Sequence, residues 1–136
     1  MPVRGIRGAT TAARNDSESI VEATSELLKA MVESNGVDLE EVAFAYFTTT
    51  PDLNAEFPAY AARLMGWGDV PLLCGHDMNV STSNPRGVAS CIRILLLYNT
   101  EQRQKEMNHV YLRGAAALQQ DRERTRAQVE NEGAVR

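Results

Sequence analysis

The 136-residue sequence predicts one domain of the α/β (α+β) class, a single mixed β-sheet covered by helices. Three observations carry that expectation. Strand-length apolar runs and stretches of helical spacing follow in the order strand, helix, strand, helix, strand, strand, strand. Hydrophobic residues are 43% and charged residues 24% of the chain, enough apolar material for a core that needs no disulfides. Turn residues separate the runs, and no internal repeat is present.

The first run, Arg4 to Thr11, reads as a strand with two arginines and two glycines. Alternation puts Val3, Gly5, Arg7 and Ala9 on one face and Arg4, Ile6, Gly8 and Thr10 on the other. Gly5 and Ala9 leave space around Arg7, which suits an anion; two exposed arginines and a glycine bulge are the alternative.

Asn15, Asp16 and Ser17 offer N-cap side chains for a helix that runs to about Asn35. Ile20, Thr24, Leu27, Leu28 and Met31 form its apolar stripe, widened by Val21 and Val32. Gly36 is the expected stop. Val42 to Thr50 is continuously apolar at its start, as expected of a central strand buried on both faces. Thr50-Pro51-Asp52-Leu53-Asn54 ends it as a turn. Phe57-Pro58-Ala59 opens a short helix in which Arg63 stacks over Ala59, and Gly66-Trp67-Gly68 breaks it.

Val70 to Cys74 is a short strand, with Pro71 marking an edge or a start. A polar loop through Ser81–Gly87 follows. Val88 to Tyr98 is the strongest strand: Ile92, Ile94, Leu96 and Tyr98 face one way, Cys91, Arg93, Leu95 and Leu97 the other. Arg93 interrupts an apolar face, a costly place for a charge without a partner. Glu101 to Met107 is a polar turn or short helix, and His109 to Leu112 a last strand. The domain is expected over 1–118. Residues 119–136, polar and alternating in charge, are expected as frayed helix or disorder.

Several function classes recede. The net charge of −4, without a basic cluster over the ordered part, argues against a nucleic-acid partner. No segment has the ~20 apolar residues of a membrane span. No signal-peptide run occurs in residues 1–15, and Cys74 and Cys91 beside apolar runs read as buried free thiols, so a reducing, cytoplasmic setting is expected. There is no glycine-rich phosphate loop, helical His-Glu-x-x-His pair or Gly-x-Ser-x-Gly elbow. Cys74 and His76 lack a third group to orient them as a nucleophilic pair, and His109 reads as a packing or surface residue. What remains is three arginines, Arg7, Arg63 and Arg93, with Asp77 and a tyrosine hydroxyl. They form either an anion pocket or separate ion pairs.

Five segments stand in order: Arg4-Gly5-Ile6-Arg7-Gly8-Ala9-Thr10-Thr11, Thr50-Pro51-Asp52-Leu53-Asn54-Ala55-Glu56-Phe57-Pro58-Ala59, Val70-Pro71-Leu72-Leu73-Cys74, Cys91-Ile92-Arg93 and His109-Val110-Tyr111-Leu112. From residue 2 to about 118 the chain resembles the small trimeric bacterial chorismate mutases of mixed α/β fold, as distinct from the all-helical type. The resemblance implies a pseudo-α/β-barrel homotrimer with active sites between subunits. The activity it implies is the Claisen rearrangement of chorismate to prephenate, with no nucleophile, metal or cofactor. By the same resemblance Arg93 donates to the ether oxygen and a carboxylate, and Arg7 clamps the side-chain carboxylate beside Tyr111. Leu73, Cys74, Gly75, His76 and Asp77 line the ring and its hydroxyl, partly through backbone groups at Cys74. Phe57, Ala59 and Arg63 come from the neighbouring subunit, and Leu118 closes the pocket. Asp77 stands where the family usually has glutamate, Tyr60 where a relative can have lysine, and Gln119 where an arginine is often found. The Ser81–Gly87 loop is longer than usual. Two other readings are a non-catalytic trimeric module that senses a dicarboxylate in the same pocket, and a small trimeric imine deaminase, whose motifs do not match.

Overall fold

A computed structural model describes residues 1–133. The elements are β1 (Val3–Thr11), α1 (Ser17–Asn35), β2 (Val42–Thr49), α2 (Ala59–Leu64), β3 (Leu72–His76), β4 (Cys91–Asn99), β5 (Val110–Tyr111) and α3 (Ala116–Gly133), with short 3-10 turns at Leu39–Glu41, Gln104–Glu106 and Arg113–Ala115. The five strands form one mixed sheet in the order β3-β2-β4-β1-β5. Antiparallel pairs join β4 to β1 and to β2; parallel pairs join β3 to β2 and β5 to β1.

Helix α1 begins where the Asp16 carboxylate accepts from the Ser19 amide and ends at Gly36, whose φ of 57° is left-handed. Its stripe Ile20, Leu27, Leu28 and Met31 is fully buried, while Val21 and Val32 are half-buried. Leu27, Leu28 and Met31 pack with α2 on one face of the sheet, against Ile6, Ala45, Phe47, Ile94 and Leu96, while Ile20 joins Ala12, Leu53 and Ile92 in a smaller cluster. Gly8 is the point of closest approach: a Cβ there would lie 2.3 Å from Met31 Sδ. A methyl there would force the Met31 and Leu27 side chains to shift within the buried layer.

Of the helices among the described residues, only α3 lies toward the opposite face, meeting β5 and lining a cleft over the sheet. Registered across that face are Phe44, Tyr46 and Thr48 of β2, Arg93, Leu95 and Leu97 of β4, and Gly5, Arg7 and Ala9 of β1. Thus β2 is not the central strand buried on both sides that its apolar run predicts. Ala45, Phe47 and Thr49 are buried, but Phe44, Tyr46 and Thr48 remain half open. The apolar residues of this face cover the sheet without being fully covered. Arg93 accordingly interrupts an open face and not a core.

Several boundaries also differ from expectation, the last strand being only Val110–Tyr111. β4 starts at Cys91 instead of Val88, because Ser90 adopts φ 52° and its amide donates to Asp52, closing a turn. β3 runs two residues later than Val70–Cys74: the Val70 amide donates to Trp67 in a turn, and strand pairing continues to His76 opposite Thr49. The Arg63 guanidinium lies over the Tyr60 ring, 5.6 Å from the centroid. Residues 119–133, for which frayed helix or disorder is expected, belong to α3, and 134–136 lie outside the described residues.

Candidate active site

On that opposite face, a cleft of about 470 Å³ opens between the sheet and α3. Arg93 stands in its floor, registered between Ala9 of β1 and Thr48 of β2. Those two short side chains give the guanidinium its room. Arg7 is opposite Leu95 on the same face, diagonally across one strand from Arg93. Tyr111 is paired with Ala9, which brings its ring to the same wall. The two glycine-flanked and apolar-flanked arginines of the sequence therefore meet in one cavity.

Asp77 follows β3 and is fixed from both ends. Its amide donates to Thr49 O at 2.8 Å, and its carboxylate accepts from the Met78 amide at 2.9 Å. The other carboxylate oxygen lies 2.9 Å from Arg93 Nε. Arg93 is thereby held by a carboxylate on one edge of its guanidinium, and its side chain remains 47% exposed to the cleft. Arg7 has no acidic partner among the described residues, so its charge is available to a ligand.

Helix α3 supplies the remaining wall. Leu118, Asp121 and Arg122 recur at helical spacing and line the cleft, whereas Gln119 points elsewhere. Asp121 lies 4.0 Å from Arg86 of the Ser81–Gly87 loop, joining helix and loop across the mouth. Arg86, Asp121 and Arg122 are absent from the candidates named by sequence, as are Tyr46 and Thr48. The strand alternation Tyr46, Thr48 could have found two of them. The four-residue step from Leu118 to Arg122 could have found a third.

Two details tie β2 to the site. A Cβ on Gly75 would approach the Tyr46 hydroxyl to 2.6 Å, so glycine there makes room for the phenol. The Thr48 hydroxyl is buried without a hydrogen-bond partner among the described residues, which leaves an unspent polar group beside Arg93.

The other sequence candidates lie apart. Phe57, Cys74, Gly75 and His76 line a second cleft of about 340 Å³. Phe57 is 65% exposed there. The Cys74 side chain turns to the helix-covered side, registered with Phe47, and burial pushes its thiol up from its ordinary range. His76 Nδ1 is 3.1 Å from Thr49 Oγ1, whose own proton goes to Leu53 O. Leu73 is 57% exposed on the open sheet face. Ala59 is buried in the core, and Arg63 projects outward. No group of three or more His, Cys, Asp or Glu side chains converges among the described residues.

The arrangement offers fixed cations, one fixed carboxylate and hydroxyl groups around an open cavity. It suits a small polyanion whose charge shifts during reaction. Comparison with known proteins agrees. Residues 3–122 match the family model of chorismate mutase type I. The chain is 48% identical over 122 residues to the chorismate mutase AroH of Thermus thermophilus, covering 89% of this chain and 97% of that one. It is 40% identical over 122 residues to the chorismate mutase AroH of Bacillus subtilis, at 89% and 93% coverage. A solved chorismate mutase from Clostridium thermocellum superposes with a TM-score of 0.79 at 42% identity, covering 84% of this chain and 98% of that one.

Proposed function

The chain belongs to the chorismate mutase type I family and isomerises chorismate to prephenate in aromatic amino acid biosynthesis, and we propose that the Arg7–Arg93 cleft is where it does so. The observation that carries this reading is the convergence of Arg93, Arg7, Asp77 and Tyr111 on one cavity.

The rearrangement is unimolecular, so the protein's task is conformer selection and electrostatic stabilisation. As the ether C–O bond breaks, negative charge grows on its oxygen. Asp77 engages Arg93 at Nε, leaving the terminal amino groups to donate to that oxygen and to a carboxylate. Because Asp77 already fixes the guanidinium, little reorganisation is needed when charge develops. Arg7 pairs with the side-chain carboxylate, with the Tyr111 hydroxyl beside it. Arg7 and Arg93 lie on neighbouring strands, and holding both carboxylates from that base favours the compact conformer. The Asp77 carboxylate also faces the ring, where positive character develops.

We further infer a homotrimer. Leu73 and Leu95 are exposed on a sheet face that also carries half-buried Phe44, Tyr46 and Leu97, an apolar surface that calls for a partner. The candidate residues divide between two clefts, and a cyclic head-to-tail assembly brings the Phe57 cleft of one subunit, with Arg63, against the Arg7–Arg93 cleft of the next. In this reading residues 1–118 are the chorismate-mutase domain, and Asp121 and Arg122 of the segment beyond it add to the cleft wall. Two free thiols suit a cytoplasmic setting, and no helix among the described residues is long and apolar enough to cross a membrane.

The test is chorismate consumption with prephenate identified as product. Arg93→Ala is expected to lower kcat by about 10²–10³-fold, the effect of removing one preorganised donor. Turnover by Arg93→Ala near that of the parent protein would remove Arg93 from the chemistry.

A further inference from the structure

Arg7 owes its place to an unusual strand edge. The backbone groups of Gly5, Arg7 and Ala9 that do not face β4 point to the outer edge of β1, and β5 is only two residues long. Side chains complete the edge. Gln104 takes Gly5 on both sides, accepting from its amide at 2.8 Å and donating to its carbonyl at 2.6 Å. Ala9 O accepts from the Leu112 amide. Between them, the Arg7 amide donates to Nδ1 of His109 at 2.9 Å.

The imidazole that closes this gap is itself firmly mounted. Asn108 is clasped to the last turn of α1: its amide donates to Asn35, its side chain to Ser34 O, and Asn35 donates back to Asn108 O. On the other side, Val110 enters the sheet beside Gly8. Accepting at Nδ1 requires a lone pair there, so the bond exists only when the ring is neutral with its proton on Nε2.

Resting on the reading that Arg7 holds a substrate carboxylate, we propose that His109 is a positioning residue for Arg7. Its neutral imidazole, locked as acceptor of the Arg7 amide, fixes the strand segment from which the guanidinium reaches the substrate, and protonation releases that segment. The surroundings favour the neutral ring. His109 is half-buried, and the charges that act on it are Arg7 of β1 and Arg122 of α3, both cationic; burial first and these charges second push its pKa below the ordinary 6.5.

The test compares His109→Leu, which has no acceptor, with His109→Asn, which keeps an acceptor near the Nδ1 position and cannot titrate. KM and kcat for chorismate are measured from about pH 8 to about pH 5, with folding checked by circular dichroism. His109→Leu is expected to raise KM about 5–10-fold with kcat little changed, the loss of one hydrogen bond's worth of placement. The parent protein's KM is expected to rise in acid, and His109→Asn is expected to restore KM and to lack that rise. A folded His109→Leu with unchanged KM, or a His109→Asn with the parent's acid rise, overturns the proposal. Should His109→Leu not fold, the nitrogen resonances of the parent's imidazole decide. An unprotonated Nδ1 coupled to the Arg7 amide at neutral pH supports the proposal, and a protonated Nδ1 overturns it. Arg7→Ala is run alongside: if its KM is unchanged, the role given to Arg7 fails, whatever the tautomer of His109.

Discussion

Asp77 and Arg93 form an ion pair, 2.9 Å from carboxylate oxygen to Nε, in which the acid comes from the end of edge strand β3 and the base from central strand β4. The short aspartate side chain reaches the guanidinium. It does so because its own backbone is tied to Thr49. Asp77→Asn keeps the shape and removes the charge. Its kcat is expected to fall about 10–100-fold, since the carboxylate charge that faces Arg93 Nε at 2.9 Å is lost. Single-turnover rates on pre-bound chorismate check this; an unchanged rate would mean that Asp77 neither orients Arg93 nor faces developing charge.

Arg122 supplies a cation that stands outside the sheet. It lines the cleft one helical turn beyond Leu118 and has no acidic partner among the described residues. Arg122→Ala is expected to raise KM about 3–5-fold at low ionic strength, in the range of an exposed ion pair, with kcat within about twofold. Added salt should narrow the difference. Gln119→Ala, outside the cleft on the same helix, is expected to leave both constants alone. Equal effects from the two substitutions would show that α3 acts only as a cover.

Two glycines of β1 should respond oppositely to alanine. At Gly8 the added methyl meets Met31 Sδ at 2.3 Å and Leu27 Cδ1 at 3.1 Å, inside a fully buried layer. Gly8→Ala is expected to cost about 1–3 kcal/mol by overpacking. At Gly5 the nearest atoms are 3.7 and 3.8 Å away, ordinary contact distances, so Gly5→Ala is expected within about 0.5 kcal/mol. Urea melts of the two variants distinguish them; similar midpoints would contradict the close approach of α1 to β1.

Cys74 lines the Phe57 cleft, apart from Arg7 and Arg93. Its thiol faces the helix-covered side, and burial raises its pKa and that of Cys91. Alkylation by iodoacetamide at neutral pH is expected to be slow and without effect on turnover, and Cys74→Ala should keep kcat within about twofold. Rapid inactivation protected by substrate would place the sulfur in the chemistry.

The sequence is most informative where local chemistry and tertiary need coincide. Asp16, the Ile20–Met31 stripe and Gly36 mark α1 from cap to stop because each acts within one or two turns. Alternation in β4 separates Ile92, Ile94 and Leu96 from Arg93 and Leu95, and that division survives in the sheet. What alternation does not tell is which side the helices cover. The apolar Phe44, Tyr46, Leu95 and Leu97 look like core residues, but within one chain they stay partly exposed. A sequence does not mark the difference between a surface buried on folding and one left for association. Register is similarly hidden. β3 begins at Leu72 because pairing with Ala45 to Thr49 decides it, not the apolar run that starts at Val70. Arg122 and Asp121 look like part of a solvated charge run; only the direction of α3 turns them to the cleft.

Arg7 and Arg93 of one subunit are proposed to work with Phe57 and Arg63 of its neighbour. Complementation tests this pairing most directly. Arg93→Ala and Arg63→Ala proteins, each of low activity, are mixed in equal amounts, dissociated and reassembled. If sites lie between subunits, some interfaces join an intact Arg93 side to an intact Arg63 side, and activity should rise to roughly a quarter of the parent's by random cyclic assembly. Activity that stays at the level of the separate variants would contradict the account, since every site would then draw both arginines from one chain.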